Sequence, residues 1–530
     1  MYSINKYIRF LPFYLFAALV GFHFLTLLEY PAPTCDEAFY GRTAIKYYDA
    51  VTTGTTWPPL DAHFYLFHGR WYWMILGVVF SIFGNTLVAA RIVSLFGLVL
   101  LVVATFLIGD LYVNRKTGLW AALLVGTASL TTYTGHLARP DILAVAIGTM
   151  SVVWVKYTLD NPHRWRFFIL GLLLILQLDF HVINIHLILP IFLMIVWQAL
   201  NEDTQNNWWT YLSVTVLGML ASTAIVLIVR YGTDITLLLS SINPDDTLLL
   251  EIVKGSRLAP VENNWLNLGL VAKFVQFWWN NFGWIIPLVA VPQALLFLLG
   301  LTSAYISGSV ELKRIGGLVL VSSFTFMLIN SDHAWVSYSL LWIPYYFVLG
   351  VAAVRRICLR TNWNMLNRHC SNIILSLYVV LNVTGDVYLV SGNNAGGGDS
   401  YQLEAQQILS QIPAESRVLT KAYWWYAMQN KIIYVDEHLV APQGSLSWWV
   451  GVPDMESVSG LEGDSLSQVK KQFVEDLQPD FVVVDGVLGC NMVPDAQYAD
   501  FMKVLKSNCK LHDQIDSKIY KQQLVYKCAS

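Results

Sequence analysis

Asp36 and Glu37 stand side by side in the stretch Pro31–Arg42, directly after an apolar run at residues 8–29. A carboxylate placed at an acceptor hydroxyl can take its proton as the new bond forms, which a hydroxyl needs because it is a weak nucleophile. A charge at the centre of a bilayer costs roughly 2.5–3.5 kcal/mol, so acids beside a membrane face water, a partner or a substrate. A plainer reading has the two acids cap and solvate the short helix that follows, since acids favour a first turn. Other ionisable groups gather at junctions between apolar runs. His63 and His68 follow in the same loop, then His136, Arg139 and Asp141, then Asp179 and His181, and finally Asp332 and His333. Tyr338 stands close behind. Arg139-Pro140-Asp141 also suits a plain helix start, with proline in the first turn. His181 and His186 are five residues apart, a poor metal spacing on a helix, and His186 reads as a packed side chain. Lys254, Arg257 and Lys273 suit either an anionic head group or the anionic bilayer surface.

The elements that must position these residues are membrane helices. The 530 residues are 55% hydrophobic and 13% charged, and mean hydropathy is +0.50. A soluble chain of this length would need far more charge to cover its surface. Candidate spans lie at 8–29, 86–109, 118–135, 140–157, 165–179, 182–199, 208–230, 283–301, 314–330, 335–353 and 371–391. That makes about eleven spans of the length a ~30 Å hydrocarbon layer requires. Lys6 and Arg9 precede the first run and no small-residue cleavage pattern follows it, so it reads as a retained helix. Arg115, Lys116, Lys156, Arg164, Arg166, Lys313, Arg314, Arg355, Arg356, Arg360 and Arg368 then fall in inner loops. By the positive-inside rule the N-terminus is cytoplasmic and the C-terminus extracytoplasmic. All the candidate site residues share the outer side. Charges gathered at one set of helix ends favour a site at the membrane surface over a path through discontinuous helices. No basic stripe points to nucleic acid.

Two outer loops are long, at 30–85 and 231–282. The aromatic stretch Trp71–Phe83 reads as a helix lying in the interface. The Trp278-Trp279 pair closes the second loop as an interfacial anchor. Composition changes at Asn393–Ser400, a glycine-rich linker, so residues 1–392 form the membrane domain and 399–530 a small soluble α/β domain. Within it Arg417–Lys421, Lys431–Asp436 and Asp480–Asp485 read as strands, and 401–411, 465–477 and 495–507 as helices. Leu511–Asp516 and Tyr520–Lys527 suit a closing hairpin flanked by Cys509 and Cys528, a candidate disulfide with Cys490 as the rival partner. No zinc spacing is present.

The order of motifs resembles a family. Asp36-Glu37-Ala38-Phe39-Tyr40 after the first span is similar to its first-loop acidic motif. His68-Gly69-Arg70-Trp71-Tyr72-Trp73, Phe83-Gly84-Asn85 and Ala89-Ala90-Arg91 resemble its second juxtamembrane helix and the start of its second span. Arg139-Pro140-Asp141 and Tyr338–Pro344 match later positions. The family is the superfamily C glycosyltransferases, which use polyprenyl-phosphate sugars; protein O-mannosyltransferases and lipid A aminoarabinose transferases are members. The resemblance implies the polytopic helical architecture of that superfamily with an extracytoplasmic C-terminal domain. It implies a lipid-linked donor in the outer leaflet, an acceptor that is a lipid, glycan or protein, and sugar transfer with inversion. It makes Asp36 the catalytic carboxylate with Glu37 assisting. His68, Arg139, Asp141, His181 and Tyr338 become candidates for substrate or phosphate contact. Some relatives hold a divalent metal near the first-loop acids; no cofactor is fixed by this sequence. His68-Gly69-Arg70 stands where aminoarabinose transferases have Lys-Pro-Pro, which puts a lysine–phosphate contact and that sugar in doubt.

The expectation is an inverting integral-membrane glycosyltransferase of the cell envelope, in a bacterial inner membrane. A transporter or flippase of lipid-linked sugars, or a non-catalytic assembly subunit, are the alternatives.

Overall fold

The computed structural model describes residues 2–54, 70–201, 208–231, 287–330, 336–360, 367–391, 398–428, 432–435, 478–485, 495–516 and 522–528. His63, His68, the loop 232–282, Asp332, His333, Cys490 and the expected helix 465–477 lie outside them. Helix α1 (Tyr2–Thr26) leads into α2 (Cys35–Thr53) and, after an interval, α3 (Arg70–Phe83). The bundle continues with α4 (Leu87–Tyr112), α5 (Arg115–Gly126), α6 (Ser129–Gly135), α7 (Asp141–Asp160) and α8 (Arg164–Phe180). It is completed by α9 (Ile185–Asn201), α10 (Trp208–Tyr231), α11 (Pro287–Ile306), α12 (Val310–Asn330), α13 (Ile343–Arg360) and α14 (Asn367–Ser391). Four described helices are long and apolar enough to cross a membrane: Leu87–Tyr112, Asp141–Asp160, Trp208–Val226 and His369–Ser391. Exposed Phe96, Leu217, Leu220, Leu377 and Val380 give them an apolar outer surface suited to lipid. This is an integral membrane protein.

Backbone contact at glycine tightens the bundle. A Cβ on Gly109 of α4 would lie 2.4 Å from the Gly118 Cα of α5, so only glycine lets the two helices meet there. The apolar run at 118–135 is two helices, not one. His23 Nε2 donates to the Gly126 carbonyl at 2.7 Å, which takes that oxygen out of the helical ladder. Thr127 N–H turns back to Leu123 O at 3.0 Å and the chain restarts at Ser129. The run at 335–353 begins as a 3₁₀ stretch, Val336–Leu341, before α13 opens with Pro344 in its first turn. Cations and acids meet at one end of the bundle. There Lys156 Nζ contacts Asp160 and Glu311 at 2.5 and 3.1 Å, and Arg355 Nη1 donates to Thr117 Oγ1 at 3.0 Å. Cys358 and Cys370, at the facing ends of α13 and α14, are joined, a bond the sequence did not suggest.

Beyond α14 come α15 (Gly398–Ser410), β1 (Arg417–Thr420), β2 (Ile432–Val435), β3 (Phe481–Asp485), α16 (Asp495–Asn508), β4 (Cys509–Asp516) and β5 (Gln522–Cys528). The sheet order is β2-β1-β3-β5-β4, with β1 parallel to both neighbours and β5 antiparallel to β3 and β4. Val418, Val482, Val483 and Val525 are fully buried in it. Cys509 and Cys528 face each other across the β4–β5 hairpin and are disulfide-bonded, with Cα atoms 4.0 Å apart. One apolar cluster runs without a break from Phe39, Trp73, Leu76 and Val93 to Tyr401, Trp424, Phe481 and Val525. The sheet therefore packs onto the end of the bundle where α2, α3 and α4 begin.

Candidate active site

The first turn of α2 carries the two acids, and they part company at once. Successive residues on a helix diverge by about 100°, so neighbours on one turn face different surroundings. Glu37 points into the protein and is fully buried, as is Arg91, the fifth residue of α4. Arg91 Nε donates to Glu37 Oε1 at 2.8 Å and Nη2 to Oε2 at 3.0 Å, a bidentate pair. The same guanidinium donates to the carbonyls of Leu27 and Pro31 at 2.8 and 3.0 Å. Glu37 also accepts the Ala138 N–H at 2.8 Å and the Thr34 N–H at 2.9 Å. Its carboxylate thus ties α2 to α4, to the chain leaving α1 and to the turn before α7. His136 braces that chain as well, donating from Nδ1 to Tyr30 O at 2.8 Å, with its Nε2 3.0 Å from His23 Nδ1.

Asp36 faces the other way. Its carboxylate meets Arg139 Nη1, and Arg139 Nε donates to Asp141 Oδ2 at 2.7 Å. The three acids differ in exposure: the Asp36 side chain is 15% exposed, Asp141 2% and Glu37 none. Burial pushes the Asp36 carboxyl above the usual carboxylate range, and Asp141 and Glu37 push it the same way against the pull of Arg139. Arg139 and Asp141 sit at the start of α7, and Ser94 Oγ of α4 fixes the turn by donating to Arg139 O at 3.2 Å. His181 closes the group from the end of α8. Its Nδ1 accepts the Ile183 N–H at 3.1 Å, and Nε2 lies 3.9 Å from Asp141 Oδ1.

Asp36, Glu37, Arg139, Asp141 and His181 are therefore brought together from three separate segments, the first turn of α2, the start of α7 and the end of α8. Tyr338 lies in the 3₁₀ stretch by its backbone, and His68 lies outside the described residues. His186 is buried edge-on against Phe326, ring centroids 4.9 Å apart. Sequence reasoning did not single out Arg91 as a site residue or His23 at all. A signal existed for both: an arginine or histidine within an apolar span demands a buried partner. Among the described residues no group of three His, Cys, Asp or Glu side chains is arranged to hold a metal ion. Arg139 already supplies a cation between Asp36 and Asp141, so these side chains as arranged do not fit a divalent ion.

The chain shares its fold with ArnT from Cupriavidus metallidurans. In the apo state the TM-score is 0.61 at 13% identity, over 99% of this chain and 98% of that one. For ArnT bound to undecaprenyl phosphate it is 0.60 at 13% identity, over 97% of both chains. The Archaeoglobus fulgidus oligosaccharyltransferase in complex with Zn and sulfate superposes with a TM-score of 0.54 at 11% identity, over 88% of this chain and 68% of that one. No protein-family model matches the chain, and comparison with curated proteins gives no match. The fold is thus the one seen in ArnT and, at lower similarity, in that oligosaccharyltransferase.

Proposed function

We propose that this protein is an inverting glycosyltransferase that moves a sugar from a polyprenyl-phosphate donor to an acceptor hydroxyl. The donor approaches from the outer leaflet, and the acceptor is a lipid, glycan or protein. In this reading the N-terminus is cytoplasmic, the sheet domain is extracytoplasmic and the membrane is a bacterial inner membrane. The observation that carries it is the divergence of the two acids: in a fold shared with ArnT, Asp36 has the most exposed side chain of the three, though still only 15% exposed.

Asp36 is the base. As the acceptor oxygen bonds to the anomeric carbon, the carbon–phosphate oxygen bond breaks and its electron pair leaves with the polyprenyl phosphate. The acceptor proton passes to Asp36. Attack from the face opposite the phosphate inverts the anomeric centre. A carboxyl pushed up by burial is a stronger base than a solvated one, and Arg139 orients it. Because Arg139 already meets two carboxylates, the departing phosphate draws its cationic or hydrogen-bonding support from elsewhere, with His68 and the Tyr338 hydroxyl the candidates. Glu37 and Arg91 act by positioning the turn, and Asp141 and His181 hold Arg139 from behind.

The test is an assay of purified protein in liposomes with a panel of undecaprenyl-phosphate-linked sugars and a panel of lipid, glycan and peptide acceptors, reading released undecaprenyl phosphate and glycosylated acceptor by mass spectrometry. Release with at least one sugar is expected from the wild type and none from Asp36→Asn. Equal release by both would overturn the assignment. Passage of intact donor across the bilayer without release would support a carrier instead.

A further inference from the structure

We propose that Tyr426, in the segment between β1 and β2, is a positioning residue for Asp36, and that Gly41 lacks a side chain so that Tyr426 can reach its place. The proposal deepens the transferase reading by making the sheet domain a working part of the catalytic turn. Tyr426 Oη donates to the Glu37 carbonyl at 2.8 Å, a buried contact between residues 389 apart in sequence. That carbonyl belongs to the residue next to Asp36, and in a helix it is the acceptor for the Gly41 N–H one turn on. A phenol that also donates to it holds the turn by its main chain, as Arg91 and the Ala138 N–H hold it by the Glu37 carboxylate. The Glu37 residue is then gripped at both its side chain and its main chain, which leaves Asp36 little freedom to swing.

The approach is tight, and glycine makes it fit. A Cβ built on Gly41 would lie 2.5 Å from Tyr426 Oη and 2.9 Å from Trp425 Cζ3. The segment that delivers the phenol is itself held. Tyr401 Oη donates to Tyr423 O at 2.8 Å, and the Tyr401 ring stacks on Trp424 with centroids 5.1 Å apart. Trp424 Nε1 donates to Gln523 Oε1 on β5 at 3.2 Å. The hydroxyl therefore stands on a rigid support that runs back into the sheet, not on a loop free to follow α2.

The experiment is a cycle of Tyr426→Phe, Gly41→Ala and the double variant in the full chain in liposomes, read by amide hydrogen exchange over residues 35–45 and by steady-state transfer. Phenylalanine keeps the ring and removes only the donor, so folding is retained. Loss of one neutral buried hydrogen bond is expected to raise exchange in the first turn of α2 and lower kcat by about fivefold with KM unchanged. Gly41→Ala alone should exceed that effect. In the Tyr426→Phe background the added methyl no longer meets the hydroxyl, so it should cost less than it does alone. Additive effects, or exchange unchanged by Tyr426→Phe, would overturn the contact. Faster exchange with unaltered kcat would overturn the positioning role. Should even the wild type transfer no sugar, the transferase reading fails, while the exchange cycle still decides the contact.

Discussion

Replacing Glu37 by glutamine tests whether the second acid is structural. The side chain keeps its shape, but Arg91 loses its counter-charge in a place with no access to water. Both partners are fully buried, and removing one member of such a pair costs about 3–5 kcal/mol because a bare charge stays behind. At 1.4 kcal/mol per factor of ten, that is a shift of about 100-fold or more in the unfolding equilibrium. A control lies at the other end of the bundle, where Asp160 pairs with Lys156 but is 45% exposed. Asp160→Asn should cost no more than about 1 kcal/mol, the range of solvent-exposed ion pairs. In the double variant Arg91→Met/Glu37→Gln no buried charge is left unpaired. Its cost should fall below the sum of the single changes by on the order of 2 kcal/mol. The assay is equilibrium unfolding in mixed micelles titrated with a denaturing detergent. A Glu37→Gln cost near that of Asp160→Asn, or strict additivity in the double variant, would refute the buried clamp.

Asp36→Asn should behave in the opposite way, abolishing transfer without loss of stability at neutral pH. A carboxyl whose folded pKa is raised binds its proton more readily folded than unfolded, so its charged form disfavours folding above that pKa and an uncharged amide removes the penalty. The same shift fixes the pH dependence of transfer: the base is lost as pH falls through the raised value, so the acid limb of kcat/KM lies above the ordinary aspartate value of about 4. Arg139→Gln removes the one group that pulls Asp36 down and should move that limb to still higher pH, measured on the same profile. Peptide mapping without reductant should recover Cys509 joined to Cys528, and a Cys509→Ser/Cys528→Ser variant should lower the detergent concentration at which the sheet domain unfolds.

The membrane helices were legible because apolar runs of that length have few other uses, and the closing strands because two short β-prone runs stand close together between Cys509 and Cys528. The break at Thr127 was not, since small and polar residues from Gly126 onward are common in membrane helices and cannot show that His23, 103 residues earlier, takes the Gly126 carbonyl. The same limit applies at the catalytic turn. Two neighbouring acids look equivalent in sequence, and a helix rotates them apart; which one turns inward depends on where Arg91 and the Ala138 N–H stand, and those are set 54 and 101 residues away. Arg91 was the available clue. A guanidinium five residues into a membrane helix must find a carboxylate, and the one that answers it is spent on structure. The acid left over, held by Arg139 and partly open to solvent, is then the one free to take a proton. The division of labour between Asp36 and Glu37 thus follows from counting buried cations against nearby acids.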